Sequence, residues 1–155
     1  MNPRWLASLL LAVACSGCSN GLDGFVWEVT LTGATDTCND PTVPYRETFD
    51  YVVDLSSPPD VSVGIGDTVF ALGSLAGDRI EYSSVIWTDT RDNGELRWQL
   101  TGEARFRTGG TTGTLPDGID WEGEETFEIV DSSVAGIEIG CTYVMEAEGT
   151  YEGET

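Results

Sequence analysis

This chain has no histidine and no lysine, and only seven arginines among 155 residues. Without histidine there is no base for a Ser-His-Asp or Cys-His nucleophile, and the usual nitrogen ligand for zinc is missing. Without lysine no Schiff base can form. Against 27 Asp and Glu the few arginines leave a formal net charge of −20. Such a surface repels phosphate, so nucleic acid is excluded as a partner. It suits solubility, and a solvated acidic face explains it more simply than a metal or cationic ligand. Beyond residue 18 there is also no long helical pattern.

What the sequence does hold begins at its N-terminus. The first 17 residues carry one charge, Arg4, and an apolar run from Trp5 to Ala14, followed by Cys15-Ser16-Gly17-Cys18. A short basic start, about ten apolar residues and small residues before a cut form a secretory signal, too short to span a bilayer. The ending resembles the lipobox of bacterial lipoproteins, which implies removal of residues 1–17 and diacylation of the new N-terminal cysteine. Both Cys15, after Ala12-Val13-Ala14, and Cys18, after Ser16-Gly17, fit such a box. Cys18 is preferred, because cutting there leaves Cys38 and Cys141 as an even pair. Ser19, rather than Asp, after the lipidated cysteine implies release toward an outer membrane. The resemblance thus divides the chain into signal 1–17, short tether 18–24 and one domain 25–155, with the membrane as partner through the N-terminal lipid.

Two cysteines in an exported domain form a disulfide most simply. Cys38 and Cys141 would close a loop of about 100 residues, for which chain entropy sets an upper stabilisation near ~4.7 kcal/mol.

The remaining pattern alternates with period two, which specifies strands with one dry and one wet face. Phe25, Trp27, Val29 and Leu31 share a face, as do Phe49, Tyr51, Val53 and Leu55. Leu96, Trp98, Leu100, Gly102, Ala104 and Phe106 oppose Arg97, Gln99, Thr101, Glu103 and Arg105. Further strands are predicted from Ile119 to Ile129 and from Ile137 to Tyr151, with shorter ones at Val61–Ile65, Thr68–Gly73 and Arg79–Trp87. Turn residues separate them, and Asn93-Gly94 is the strongest hairpin signal. About eight antiparallel strands in a meander result. The wet face is dense in Asp, Glu and Arg, which excludes a transmembrane barrel with its apolar outer band.

Gly102, Gly123 and Gly149 interrupt the apolar faces of long strands, as bends or bulges do in a curling sheet. The fold class expected is all-β, an up-and-down barrel, with a two-sheet sandwich as the alternative. Gly24-Phe25-Val26-Trp27 resembles the opening of lipocalin-type barrels, which implies a ligand inside. In layout the mature chain resembles acidic envelope lipoproteins of Gram-negative bacteria with one cysteine pair, a likeness that implies no particular activity.

Few chemistries remain. Paired carboxylates permit glycoside hydrolysis, but the acids fall on wet faces and no spacing singles out two, so no catalytic residue is assigned. Asp89-Thr90-Arg91-Asp92-Asn93-Gly94-Glu95 is oxygen-rich, yet lacks the alternating acids of a calcium loop. A hairpin explains it better, and neither a metal nor another cofactor is expected. Glu125 breaks the pattern: it falls in register with Trp121, Gly123, Phe127 and Ile129. It either points inward as a ligand contact beside Trp27, Trp98 and Trp121, or is turned out by a bulge at Gly123-Glu124, the preferred reading. So many large residues favour a filled interior over a pocket. The expected role is a structural or interaction module, with Gly33–Thr48 as its contact loop and an envelope protein as partner. The alternative is a binder of a small apolar ligand.

Overall fold

The computed structural model describes residues 22–110 and 114–155; Cys15, Cys18, the signal and most of the tether lie outside them. Nine strands follow in order: β1 (Phe25–Asp36), β2 (Arg46–Ser57), β3 (Asp60–Ile65), β4 (Thr68–Ala76), β5 (Arg79–Ser84), β6 (Trp87–Arg91), β7 (Gly94–Phe106), β8 (Trp121–Ser132) and β9 (Thr142–Glu154). Each pairs antiparallel with its sequence neighbours, save that β5 pairs with β7 rather than with β6. Pairing of β1 with β9 and of β5 with β7 closes an eight-stranded barrel in the order β1-β2-β3-β4-β5-β7-β8-β9, with β6 as an extra strand. Closure removes the sheet edges that a sandwich would leave, so the sandwich alternative is set aside.

The alternation read from sequence is the alternation observed. Trp27, Val29 and Leu31 on β1, Leu96, Trp98 and Leu100 on β7, and Tyr143, Met145 and Ala147 on β9 are buried, while their neighbours on the other face are exposed or half-buried. Gly66 and Gly77 take positive φ, 59° and 66°, in two-residue turns where a Cβ would be strained.

Three boundaries differ from the sequence reading. The single strand expected over Arg79–Trp87 is broken: Ser83 pairs with Thr101 and Trp87 with Trp98, so β5 and β6 together carry one residue more than β7. Ser84 fills the resulting kink, its Oγ accepting from Leu100 N at 2.9 Å and donating to Val85 O at 2.7 Å. The last strand starts at Thr142 instead of Ile137, because Val134 to Cys141 folds into turns that leave Ile139 63% exposed. The eighth starts at Trp121, since Ile119 and Asp120 belong to the preceding loop.

The glycines also act differently than expected. β7 and β8 run in unbroken register from Trp98 to Phe106, straight through Gly102 and Gly123. A Cβ on Gly123 would lie 2.2 Å from Glu103 O and one on Gly149 2.7 Å from Glu28 O. Close approach of neighbouring strands, rather than a bulge, is what these positions require.

Loops at both ends are tied to the barrel. At one end Cys38 is bonded to Cys141, the pairing expected from sequence. Arg91 Nη2 lies 2.7 Å from Asp40 and its Nε 2.8 Å from Asp89. The Gly33–Thr48 segment is therefore shorter as a loop than expected, and in part buried: Cys38 and Asp40 are 2% and 4% exposed. At the other end Arg107 is paired with Asp120 at 2.7 Å, while Asp120 accepts from Tyr151 N and Arg107 O accepts from the Trp27 indole.

Candidate functional site

Glu125 is the most deeply placed ionisable acid, with no exposed surface. β8 holds regular register with both neighbours at this point, Glu125 facing Gly102 on one side and Met145 on the other. The bulge at Gly123-Glu124 that would have turned it outward is absent. Its carboxylate enters the interior, where Tyr51 Oη from β2 donates to Oε1 at 2.9 Å and Tyr82 Oη from β5 donates to the same atom at 2.7 Å. Oε2 is buried and has no hydrogen-bond partner.

Tyr82 is the residue that the sequence reading missed. It lies in the cross-strand row Gly73–Tyr82–Gly102–Glu125. To reach Glu125 its ring must cross β7, and glycine at 102 permits that: a Cβ there would lie 2.3 Å from Cζ and 2.7 Å from Oη of Tyr82. The inward pattern Ile80-x-Tyr82-x-Ser84 was the available signal. It becomes informative only when set beside Gly102, 20 residues on.

Burial dominates the electrostatics. It raises the Glu125 carboxyl to about 7, against the opposing pull of the Tyr82 and Tyr51 hydroxyls. Burial, then the adjacent Glu125, lifts both phenols well above their ordinary range. Below about pH 7 the group is therefore a neutral acid. Glu47, also raised by burial, points its unpartnered Oε2 inward from β2 and adds to the negative field at Tyr51. At the Cys38 end burial also raises Asp40, but hydrogen bonds from Arg91 and Thr42 outweigh it and hold that carboxyl below the usual range.

The tryptophans grouped by the sequence reading separate into two sets. Trp27 and Trp121 touch, with centroids 5.5 Å apart, and Tyr51 meets Trp121 edge-on at 5.9 Å. Trp98 lies eight residues down β7 from Phe106, packed on Trp87 at 6.3 Å and Phe127 at 5.6 Å. Neither set donates to Glu125; tyrosines do. The space opposite inward glycines is taken: Tyr82 covers Gly102, while Val29 Cγ2 and Trp121 Cβ stand 3.0 and 3.2 Å from where a Gly149 Cβ would be.

A groove of about 570 Å³ on the outer wall is lined by Leu72, Ser74, Glu81, Ser83, Glu103 and Glu124 among others. Among the described residues no three Asp, Glu or Cys side chains are arranged to hold a metal. The Asp89–Glu95 segment forms the β6–β7 hairpin, with Asp89 turned toward Arg91. No family model, curated protein or solved structure matches this chain.

Proposed function

We infer that the chain is a lipid-anchored protein of the cell envelope whose barrel works through its outer surface, as a structural or interaction module. The observation that carries this reading is the occupied interior: the Tyr82 ring covers Gly102, Val29 and Trp121 fill the space beside Gly149, and paired arginines tie down loops at both ends. A small apolar ligand in the interior would have to displace those side chains. The disulfide supports the exported part of the reading, since such bonds persist in oxidising compartments. Lipidation at Cys18, with Cys15 as the other choice, and delivery to an outer membrane rest on the sequence around them.

Two measurements test it. Labelled palmitate should enter the wild-type chain in a Gram-negative host and fail to enter a Cys15→Ala/Cys18→Ala variant; equal labelling, or none in either, overturns the anchor. Native mass spectrometry of the domain against a lipid and aromatic panel should show no stoichiometric adduct, and an adduct that survives desalting would replace the interaction role with a carrier.

A further inference from the structure

The two sides of the barrel wall differ in chemistry, and the N-terminus is fastened to one of them. In the ring of eight strands β3 stands opposite β8. Outward residues on β8 are Glu122, Glu124, Thr126 and Glu128, flanked by Glu103 on β7 and Glu146 and Glu148 on β9. Glu81, Glu103, Glu124 and Glu146 are consecutive cross-strand partners in one row, with Arg79 bridging the first two. Like charges directly opposite one another weaken a sheet, so this concentration of acid is not there for the fold. On β3 and β4 the outward residues Ser62, Gly64, Val69, Leu72 and Ser74 carry no charge; Asp60 at the start of β3 is the one acid among them, with Asp54 opposite Ser62 on β2 and Glu81 opposite Ser74 on β5. Leu72 is 64% exposed on this wall.

The chain enters over the neutral wall. Val26, Val52, Gly64 and Val69 form one outward row across β1 to β4. Val52 faces outward yet is 4% exposed. The chain bends at Gly24 and brings Leu22 onto this row, where a Cβ on Gly64 would lie 2.7 Å from Leu22 Cδ2. Thr155 clamps that approach. Gly24 N donates to Thr155 Oγ1 at 2.9 Å, Thr155 N to Gly24 O at 2.9 Å, and Thr155 Oγ1 to Leu22 O at 3.3 Å. Only Ser19, Asn20 and Gly21 separate Leu22 from Cys18, a span of roughly 14 Å at full extension.

We propose that the β3–β4 wall is the surface laid against the lipid bilayer that holds the anchor, with the acidic β7–β9 wall turned away from it. This rests on the anchored reading above and goes beyond it by assigning the face. A tether of three residues leaves the clamped side nearest the bilayer. Anionic headgroups repel carboxylates within about a Debye length, ~8 Å at physiological salt, so the wall with fewer acids is favoured against them and the glutamate rows are favoured on the far side. Leu72 and Val69 then meet the headgroup region as apolar side chains without a charge to desolvate.

The test uses the full chain, lipidated in a Gram-negative host, purified oxidised and reconstituted into vesicles of phosphatidylethanolamine and phosphatidylglycerol. A polarity-sensitive fluorophore is placed through Leu72→Cys or Ser74→Cys on one wall and Glu146→Cys or Glu148→Cys on the other. All four sites are exposed, and two per wall guard against one misfolded variant. Headgroup-attached nitroxide lipid should quench the Leu72 and Ser74 labels severalfold more than the Glu146 and Glu148 labels, with aqueous iodide giving the reverse order. Equal quenching on both walls, or more at the glutamates, overturns the orientation while palmitate incorporation shows the anchor intact. Absence of palmitate from the purified chain overturns the anchor, and the orientation with it.

Discussion

Tyr82 crosses Gly102, and a single methyl on that glycine would collide with the ring that completes the Glu125 cluster. Gly102→Ala should therefore destabilise the domain by about 1–3 kcal/mol, the usual cost of overpacking a core. Chemical denaturation checks this, with Tyr82→Leu as the companion variant. Removing the phenol should make Gly102→Ala less costly than in the wild type, and additive effects would break the assigned contact.

Glu125 makes stability depend on pH in a definite sense. Burial raises its folded carboxyl to about 7, against 4.5 for an ordinary glutamate. The folded state thus holds the proton more tightly than the unfolded chain. The associated stability is full below about pH 4.5 and is lost as pH rises through about 7, a swing of roughly 3 kcal/mol. Glu125→Gln keeps an acceptor for Tyr51 and Tyr82 and should flatten most of that slope, leaving the smaller contribution of Glu47, which has the same sign. Urea midpoints measured across pH 4.5–8 decide it; an unchanged slope in the variant would show that Glu125 is not the titrating group.

Asp40 acts in the opposite direction. Its folded pKa is depressed, so its contribution is present above the ordinary aspartate value and disappears on acidification. Arg91→Met would leave Asp40 and Asp89 without their shared cation, and breaking a buried pair by removing one partner costs about 3 kcal/mol or more. The loss should be largest near neutral pH and shrink toward pH 3. A pH-independent loss would point to packing by the arginine stem.

The bond between Cys38 and Cys141 spans 103 positions and pins the loop after β1 to the start of β9. Cys38→Ala/Cys141→Ala should lower unfolding free energy by about 2–4 kcal/mol. Reductant should lower the melting temperature of the wild type and leave the double variant unmoved. Equal sensitivity of both proteins to reductant would mean that the bond does not form in solution.

Much of this was open to reading along the chain, because a strand with one dry face writes its geometry locally. Trp27-x-Val29-x-Leu31 and Leu96-x-Trp98-x-Leu100 announced their buried faces, Asn93-Gly94 its hairpin, and an even cysteine pair its bond. The alternation even placed Glu125 inward. The cost of burying a lone carboxylate argued for a bulge instead, and nothing nearby in sequence supplied the two phenols that lower that cost.

Those phenols come from Tyr51 and Tyr82, 74 and 43 positions away. They meet Glu125 only because β5 turns from β4 to β7 and closes the ring. The same distance hid the role of the glycines, which look like bends in a single strand and prove to be clearances between strands. Composition and period decide which face of each strand is dry, since those are properties of neighbours in the chain. What fills the dry side, and which wall the N-terminus crosses, depends on register between strands far apart in sequence, and a one-residue slip would reverse both.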